Sequence, residues 1–421
     1  MQRRNLAWLA SVSISLLIFT GCAVAPTPLP SPAIDSEIPQ EFASYYTQSV
    51  EWRSCGGERT YCGIVQVPVD WSNNDGEYLK LSVVYRQADN AKPLGSMIFN
   101  PGGPGTSGTS WVRESVSDLA TANLRANYNI VGFDPRGVGE SEPRVTCLDA
   151  QQTDEMLYSP QKHEINSPQD IADTKAQVKK FADACLANTG KNIQYIDTVS
   201  TAKDMDVLRA IFGDSKINYL GYSYGTYLGA TYAALFPQRV GRMVLDGAIN
   251  PLASSSEQDL SQLKGFSQAL DNFLAECLDQ SDCPVHGTVA EAEEQIAALL
   301  RSIETTPLKT DHAKRDLTIW GAVTGLVMPL YGKDWWPTLS QALAEAQNGD
   351  GTTLLALADT YNDRNDDGTY ASNTLEANFA ISCLDAREPA DEASIKKQNN
   401  RVLKASKVFG RYWLNGALGC A

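Results

Sequence analysis

The strongest chemical signal in the sequence is a serine between two glycines, in residues 221–225, which read Gly-Tyr-Ser-Tyr-Gly. An apolar run at 217–220 precedes this segment and a helix-like run follows it. A G-x-S-x-G pattern between a strand and a helix is typical of a nucleophile elbow, a sharp turn that exposes the serine hydroxyl. A chance Gly-Ser turn is the alternative, and both flanks disfavour it. Ser223 is therefore the candidate nucleophile, and the dipole of the following helix would favour an oxyanion there.

A glycine-rich loop at 100–105, which reads Asn-Pro-Gly-Gly-Pro-Gly, follows another apolar run. Such a loop can bring backbone N–H groups against the oxyanion of a tetrahedral intermediate. We expect Gly102 or Gly103 to supply one donor, and Tyr224, directly after the candidate nucleophile, to supply the other. A bare chain reversal is the alternative for this loop alone, but its presence together with Ser223 favours an oxyanion hole.

A third loop, at 134–141, follows a further apolar run and contains Asp134 and Arg136. We expect these two side chains to pair and to fix the loop beside the site as part of the scaffold.

Strand and helix patterns alternate around these loops. Residues 64–70 and 79–86 alternate apolar and polar side chains, which predicts half-exposed strands. Short apolar runs predict buried strands of a parallel sheet at 96–100, 128–133, 217–221 and 242–246. Helical patterns lie between them at 111–125, 168–187 and 200–212. This alternation predicts an α/β fold with a doubly wound, mostly parallel sheet.

The pattern changes after Pro251, where apolar residues recur three and four positions apart. Helices are predicted at 256–280, 289–304, 317–330, 335–348 and 352–362. The sequence thus predicts a helical insertion of roughly 130 residues after the sheet.

Taken together, these segments resemble the secreted tripeptidyl-aminopeptidase group, serine exopeptidases of the α/β-hydrolase fold that are related to proline iminopeptidase. The resemblance rests on residues 100–105, 134–141, 219–229 and 244–247, and also on Ala-Ile-Ser-Cys-Leu-Asp at 380–385. It extends from about Trp52 to Cys420 and includes the spacing of eight cysteines. It implies that Ser223 is the nucleophile, that Gly102 or Gly103 with Tyr224 forms the oxyanion hole, and that the helical insertion is a cap over the substrate.

The residue patterns and the resemblance together divide the chain into five parts. These are a lipoprotein signal peptide (1–22), a Pro-rich tether (23–45), the α/β-hydrolase core (46–250), the helical cap (251–378) and the start of a C-terminal peptidase segment (379–421).

Enzymes of this group carry a catalytic Asp and a His after the cap, in the chain order Ser, Asp, His. No matching segment follows Cys420, so we expect the last core strands and these two residues to be missing. An incomplete record of a longer enzyme is favoured over a disabled relative. His163, His286 and His312 lie in polar or charged stretches and are better explained as surface residues than as bases. Without a base, only residual catalysis remains.

Three acidic residues are further candidates for roles at the site. An exopeptidase binds the free α-amine of its substrate, and a carboxylate in the pocket would do this. Glu376 and Asp385 flank the return from cap to core and are candidates, with a structural role as the alternative. Asp246 ends the strand after the nucleophile helix, where some α/β hydrolases carry their catalytic acid, but the resemblance favours a structural role.

Composition excludes several classes of protein. The 421 residues are 43% hydrophobic and 20% charged, which indicates a globular chain. Fifty acidic residues against 35 Lys and Arg give a net charge of -15, which argues against nucleic acid as a partner. Three histidines and no CxxC pair make a metal site improbable. We expect a monomer without cofactor or metal.

The N-terminus carries an export signal, with Arg3 and Arg4 before an apolar run at 6–19 and Cys22 after it. Cys22 in this context indicates a bacterial lipoprotein anchored to a membrane by lipid, and plain secretion is the alternative. The Pro-rich stretch that follows suits an extended tether.

The remaining eight cysteines are an even number, as expected in an oxidising compartment. Of the 105 possible pairings, the simplest is sequential: Cys55–Cys62, Cys147–Cys185, Cys277–Cys283 and Cys383–Cys420.

Three functions are consistent with these features. The first is an exported, lipid-anchored exopeptidase that releases short peptides, of the tripeptidyl type, from peptide N-termini through an acyl-enzyme on Ser223. The second is an esterase or lipase that uses the same serine, and the third is a non-catalytic peptide-binding lipoprotein.

Overall fold

The computed structural model describes residues 38–312, 315–386 and 391–420. The predicted signal peptide, the lipidation candidate Cys22 and most of the predicted tether lie outside these residues.

A seven-stranded mixed sheet forms the centre of the molecule, in the order β1-β2-β3-β5-β4-β6-β7. The strands are β1 Arg53–Ser54, β2 Thr60–Pro68, β3 Tyr78–Arg86, β4 Ser96–Asn100, β5 Asn129–Phe133, β6 Ile217–Tyr222 and β7 Val240–Asp246. Strands β5, β4, β6 and β7 are parallel, whereas β1, β2 and β3 are antiparallel to their neighbours. The predicted doubly wound, mostly parallel sheet is confirmed.

The described part of the chain contains fifteen α-helices, which surround or follow this sheet. They are α1 Ala43–Thr47, α2 Gly108–Glu114, α3 Val116–Leu119, α4 Ala122–Asn127, α5 Ala150–Tyr158, α6 Pro168–Thr189, α7 Thr198–Ile211, α8 Tyr224–Leu235, α9 Ser255–Leu278, α10 Val289–Thr305, α11 Ile319–Val327, α12 Trp336–Gln347, α13 Thr352–Tyr361, α14 Thr374–Asp385 and α15 Glu392–Ala405.

The two faces of the sheet bury different apolar clusters. On one face, α7 and α8 pack with strand residues such as Tyr85 and Tyr219. On the other face, Val112 of α2 packs with Val84 and Phe99. Because side chains alternate along each strand, the same strands feed both clusters.

The helical insertion has an apolar cluster of its own, built mainly from α9 to α13. Helix α14 instead packs on the sheet through Ala377 and Ile381, and α15 returns to the insertion cluster through Val402. The predicted boundary between the cap and the C-terminal segment, at residues 378 and 379, would therefore fall inside the continuous helix α14.

The core begins earlier in the chain than residue 46. Phe42 and Tyr46 are buried among core residues, and the Phe42 and Trp71 rings lie 5.0 Å apart. The last part of the range predicted as a tether thus packs on the sheet, because its aromatic residues bury more apolar surface than a solvated spacer would.

Two other predictions differ from the structure. The single helix predicted at 111–125 is three short helices, because the chain leaves the helical conformation at Ser115 and again at Ala120. The run at 242–246 does form a strand, but it is not buried. Among the residues that the structure describes, β7 pairs only with β6, and Val244 is 58% exposed.

All four disulfides of the sequential pairing are present. Within the described residues, no helix combines the length and the apolar character needed to cross a membrane.

Candidate active site

Ser223 occupies a strained turn between β6 and α8. Its backbone has φ 51° and ψ -120°, a conformation with positive φ that residues other than glycine rarely adopt. Its N–H donates to the carbonyl of Asp246 at 3.0 Å, and its own carbonyl accepts from the Thr226 N–H at 2.8 Å. The residue is exposed. The predicted strand–turn–helix context of Ser223 is therefore present.

Two glycines make this turn sterically feasible. A Cβ atom on Gly221 would lie 2.4 Å from the Gly225 carbonyl oxygen, and one on Gly225 would lie 2.6 Å from the Asn100 carbonyl oxygen. Real Cβ contacts are longer, so larger residues would push the helix away from the sheet. The close approach of α8 to β4 and β6 depends on these positions.

The glycine-rich loop lies against the serine. A Cβ on Gly102 would be 3.1 Å from the Ser223 Cβ and 3.3 Å from the Tyr224 nitrogen. Both Gly102 and Gly103 have positive φ, at 101° and 104°. The structure thus brings together the glycine-rich loop and the turn at Ser223 and Tyr224, the two segments predicted to form the oxyanion hole, at the carboxyl end of the sheet.

The amides of this loop are not equivalent. The Gly102 N–H donates to Asn100 Oδ1 at 3.0 Å, in a buried contact. Gly103 is exposed, and its N–H has no protein acceptor within the described residues. Tyr224 is the first residue of α8, where backbone N–H groups have no acceptor within the helix.

Helix α14 supports the loop from the other side. Asn378 Nδ2 donates to the Pro104 carbonyl at 3.1 Å, and Thr374 Oγ1 donates to the Gly105 carbonyl at 3.3 Å. Neither contact could be predicted from the sequence, because contacts more than 250 positions apart leave no local pattern.

The predicted pairing of Asp134 with Arg136 is wrong. Asp134 accepts from Ser107 Oγ at 2.7 Å and from the Glu140 N–H at 2.8 Å, while burial raises its pKa. Arg136 lies against Asp204 instead, with Nε 2.5 Å from Oδ2. Asp134 contacts the start of α2 through Thr109, whereas Arg136 contacts α7 through Asp204, so the two side chains do not meet.

The two candidates for binding the substrate amine hold other parts of the chain. Glu376 Oε1 accepts from the backbone N–H groups of Cys147 and Leu148 at 2.9 and 2.7 Å. Asp385 accepts from the Thr198 N–H at 3.0 Å and from its Oγ1 at 2.5 Å. These contacts favour the structural alternative, and amine binding stays a prediction.

The Thr198 hydroxyl also contacts the Tyr224 hydroxyl, so Asp385 reaches the nucleophile helix through one side chain. Burial raises the pKa of Tyr224, with the Asp385 charge as the next cause, so its phenol stays protonated.

In the part of the chain that the structure describes, no histidine contacts Ser223. His163 faces Asp173 at 3.6 Å and His312 faces Asp311 at 3.6 Å, while the backbone of His286 bonds to Gln295. Within the described residues, the Ser223 hydroxyl makes no hydrogen bond to the protein. Asp246 pairs with Tyr222 in the sheet register and is exposed, and its carboxylate also has no partner there.

This arrangement combines an exposed hydroxyl with backbone donors beside it. Such donors stabilise the negative charge that develops when a hydroxyl attacks a carbonyl carbon. The arrangement suits acyl transfer, in which the serine is acylated and then released by water.

Comparisons with known proteins agree with this geometry. A family model for the alpha/beta hydrolase fold matches residues 95–365. Serine protease Hip1 of Mycobacterium tuberculosis is 35% identical over 393 residues, which cover 89% of this chain and 74% of that protein. Tripeptidyl aminopeptidase of Streptomyces coelicolor is 32% identical, with 88% and 69% covered.

Carboxylesterase B of Mycobacterium tuberculosis is 34% identical over 343 residues, with 81% of this chain and 65% of that protein covered. The nucleophile elbow, the adjoining glycine loop and these relatives lead to one conclusion. The chain belongs to the α/β-hydrolase fold family and is a serine hydrolase related to the tripeptidyl aminopeptidases.

Proposed function

We propose that this protein is an exported serine aminopeptidase that releases tripeptides from the N-termini of peptides. The observation that carries the proposal is the strained turn at Ser223, with Gly102 within van der Waals reach of its side chain. The relatives named serine protease and tripeptidyl aminopeptidase support peptides as the substrate class.

In the proposed reaction, Ser223 Oγ attacks the carbonyl carbon of the third peptide bond of the substrate. The carbonyl oxygen becomes an oxyanion, which accepts hydrogen bonds from the Gly103 and Tyr224 N–H groups. The C–N bond then breaks, the amine leaves with a proton, and water later hydrolyses the ester on Ser223.

The proton of Ser223 needs an acceptor, and His163, His286 and His312 have contacts elsewhere. The proposal therefore includes that none of these three histidines is the base. Turnover of a substrate requires a base and its acid partner in addition to Ser223.

Export and anchoring form a separate part of the proposal. Cys22 would carry the lipid, and a bacterial membrane would hold the enzyme on its extracytoplasmic side. Four disulfides are consistent with an oxidising compartment, where such bonds persist. Mass spectrometry of the N-terminal peptide would detect a diacylglyceryl group on Cys22, and an unmodified secreted terminus would contradict the anchor.

Labelling by a fluorophosphonate tests the nucleophile directly. We expect the folded protein to form a stoichiometric adduct on Ser223, located by mass spectrometry, and the S223A variant to form none. Ser110 on α2 provides a matched control, because S110A removes another serine hydroxyl and should leave labelling unchanged. A folded wild-type protein without adduct would contradict the proposal and would favour the non-catalytic peptide-binding alternative.

An esterase is the second candidate function, and the relative named carboxylesterase B favours it. Tripeptide anilide reporters and acyl-ester reporters separate the two. Faster turnover of the tripeptide anilide supports the aminopeptidase, whereas turnover of esters alone supports the esterase.

A further inference from the structure

We propose that Asn100 is a positioning residue that determines which amide of the glycine-rich loop faces the oxyanion. This inference rests on the proposed function, because it assigns one of the two hydrogen-bond donors at Ser223. The sequence analysis did not distinguish Gly102 from Gly103.

Asn100 lies directly beneath the nucleophile elbow. It ends β4, is fully buried, and stands opposite Gly221 in the register of β4 and β6. A Cβ on Gly225 would lie 2.9 Å from Asn100 Oδ1. The side chain is therefore enclosed by the loop above it and by the first turn of α8.

The hydrogen bond from Gly102 to Asn100 removes one candidate donor. The single N–H proton of Gly102 points to Asn100 Oδ1 at 3.0 Å, in a buried contact, so it is not free for a substrate oxygen. The Cα of Gly102 packs against the Ser223 side chain, while Gly103 is exposed as the next residue. Of the two candidate donors, Gly102 and Gly103, the Gly103 N–H is thereby the one left for the oxyanion.

The amide end of Asn100 gives a second, independent observation. Asn100 Nδ2 is buried and has no hydrogen-bond partner within the described residues. A buried donor without a partner destabilises a fold, so a merely structural role would favour a different residue. The carboxamide instead accepts the Gly102 hydrogen bond without carrying a charge. An aspartate would accept the same bond but would place a negative charge under the developing oxyanion.

Amide exchange measured by NMR tests the assignment in the full-length protein with ¹⁵N-labelled glycine. We expect the Gly102 amide to exchange about tenfold or more slowly than the Gly103 amide, because only the former is hydrogen-bonded to protein. N100A should remove this protection. N100S should restore part of it, since a serine hydroxyl also accepts from the amide two residues on. The exposed Asn90 provides the control variant N90A, which should change neither rate.

Reaction with the phosphonate supplies the functional readout. In the adduct, the phosphonyl oxygen occupies the oxyanion position, so the Gly103 resonance should shift while that of Gly102 stays in place. The labelling rate should fall on the order of tenfold to a hundredfold in N100A, which is less than the loss of a complete donor. N100S should recover part of that rate.

Either of two results would overturn the inference. One is a Gly102 amide that exchanges as fast as Gly103 in the wild-type protein, and the other is an adduct that shifts Gly102 instead of Gly103. If the wild-type protein is not labelled at all, the proposed function fails, whereas the exchange rates of the unmodified protein still decide the role of Asn100.

Discussion

The nucleophile elbow and the buried Arg136–Asp204 pair belong to the same core but differ in how far their polar groups are hydrogen-bonded to protein. Arg136 makes five hydrogen bonds, two to Asp204 and three to the carbonyls of Pro68, Val69 and Tyr195. Trp71 Nε1 donates to Asp204 as well, at 2.9 Å. At the elbow, the Ser223 hydroxyl and the Gly103 N–H find no protein partner within the described residues.

This difference separates a scaffold from a reactive site. The Arg136–Asp204 pair has both charges fully buried, so its many hydrogen bonds offset the loss of hydration. The elbow is exposed, holds backbone strain at Ser223 and leaves donors open toward solvent. Groups left open in this way can stabilise charge that exists only during a reaction.

The largest expected effect comes from breaking the scaffold. R136A leaves Asp204 as an unpaired buried charge and three carbonyls without their donor, so we expect a loss of about 3–5 kcal/mol in the free energy of unfolding. Urea denaturation measures this. The exposed Arg53–Glu51 pair gives the control R53A, expected within about 0.5 kcal/mol of wild type. Equal effects of the two variants would show that the buried pair contributes no more than a surface pair.

The second-largest effect is expected from substitution of a helical glycine, and it can be compared with the same substitution at a second helical glycine. G225A places a Cβ 2.6 Å from the Asn100 carbonyl oxygen, so we expect a loss of about 1–3 kcal/mol and strongly reduced phosphonate labelling. Gly265 of α9 has nothing within 4 Å of its would-be Cβ. G265A should therefore gain about 0.5–1 kcal/mol, as alanine does in an open helix, and should label normally. A G225A protein with wild-type stability and labelling would contradict the close packing at the elbow.

The smallest expected effect is a gain in stability at the nucleophile itself. S223G should relieve the unfavourable φ and ψ and stabilise the fold by about 1 kcal/mol, while it abolishes labelling. S223A also abolishes labelling but keeps the strained backbone, so its stability should stay near that of wild type. Thermal unfolding of the wild-type protein, S223G and S223A measures their relative stabilities. A less stable S223G would argue against strain at this turn.

Much of the fold could be predicted because its signals are local. The apolar runs that form β4, β5 and β6 end at glycine-rich loops, and the three- and four-residue spacing predicted α9, α10, α12 and α13 within two residues. Predictions failed where context decides. Whether β7 is buried depends on which other elements pack against it, which its own residues do not encode. At Ser115 and Ala120 the chain leaves the helical conformation, although the apolar periodicity continues through them.

Local sequence is enough to specify the reactive turn. Glycines around Ser223 and in the loop at 100–105 are required wherever a strand, a tight turn and a helix pack closely, and that requirement is local. The partners of the charged side chains and the difference between Gly102 and Gly103 depend on tertiary packing. Arg136 meets Asp204, and α14 meets the glycine loop, across separations of 68 and 274 residues. Contacts at such distances follow from how the elements pack around the sheet, which no local pattern encodes.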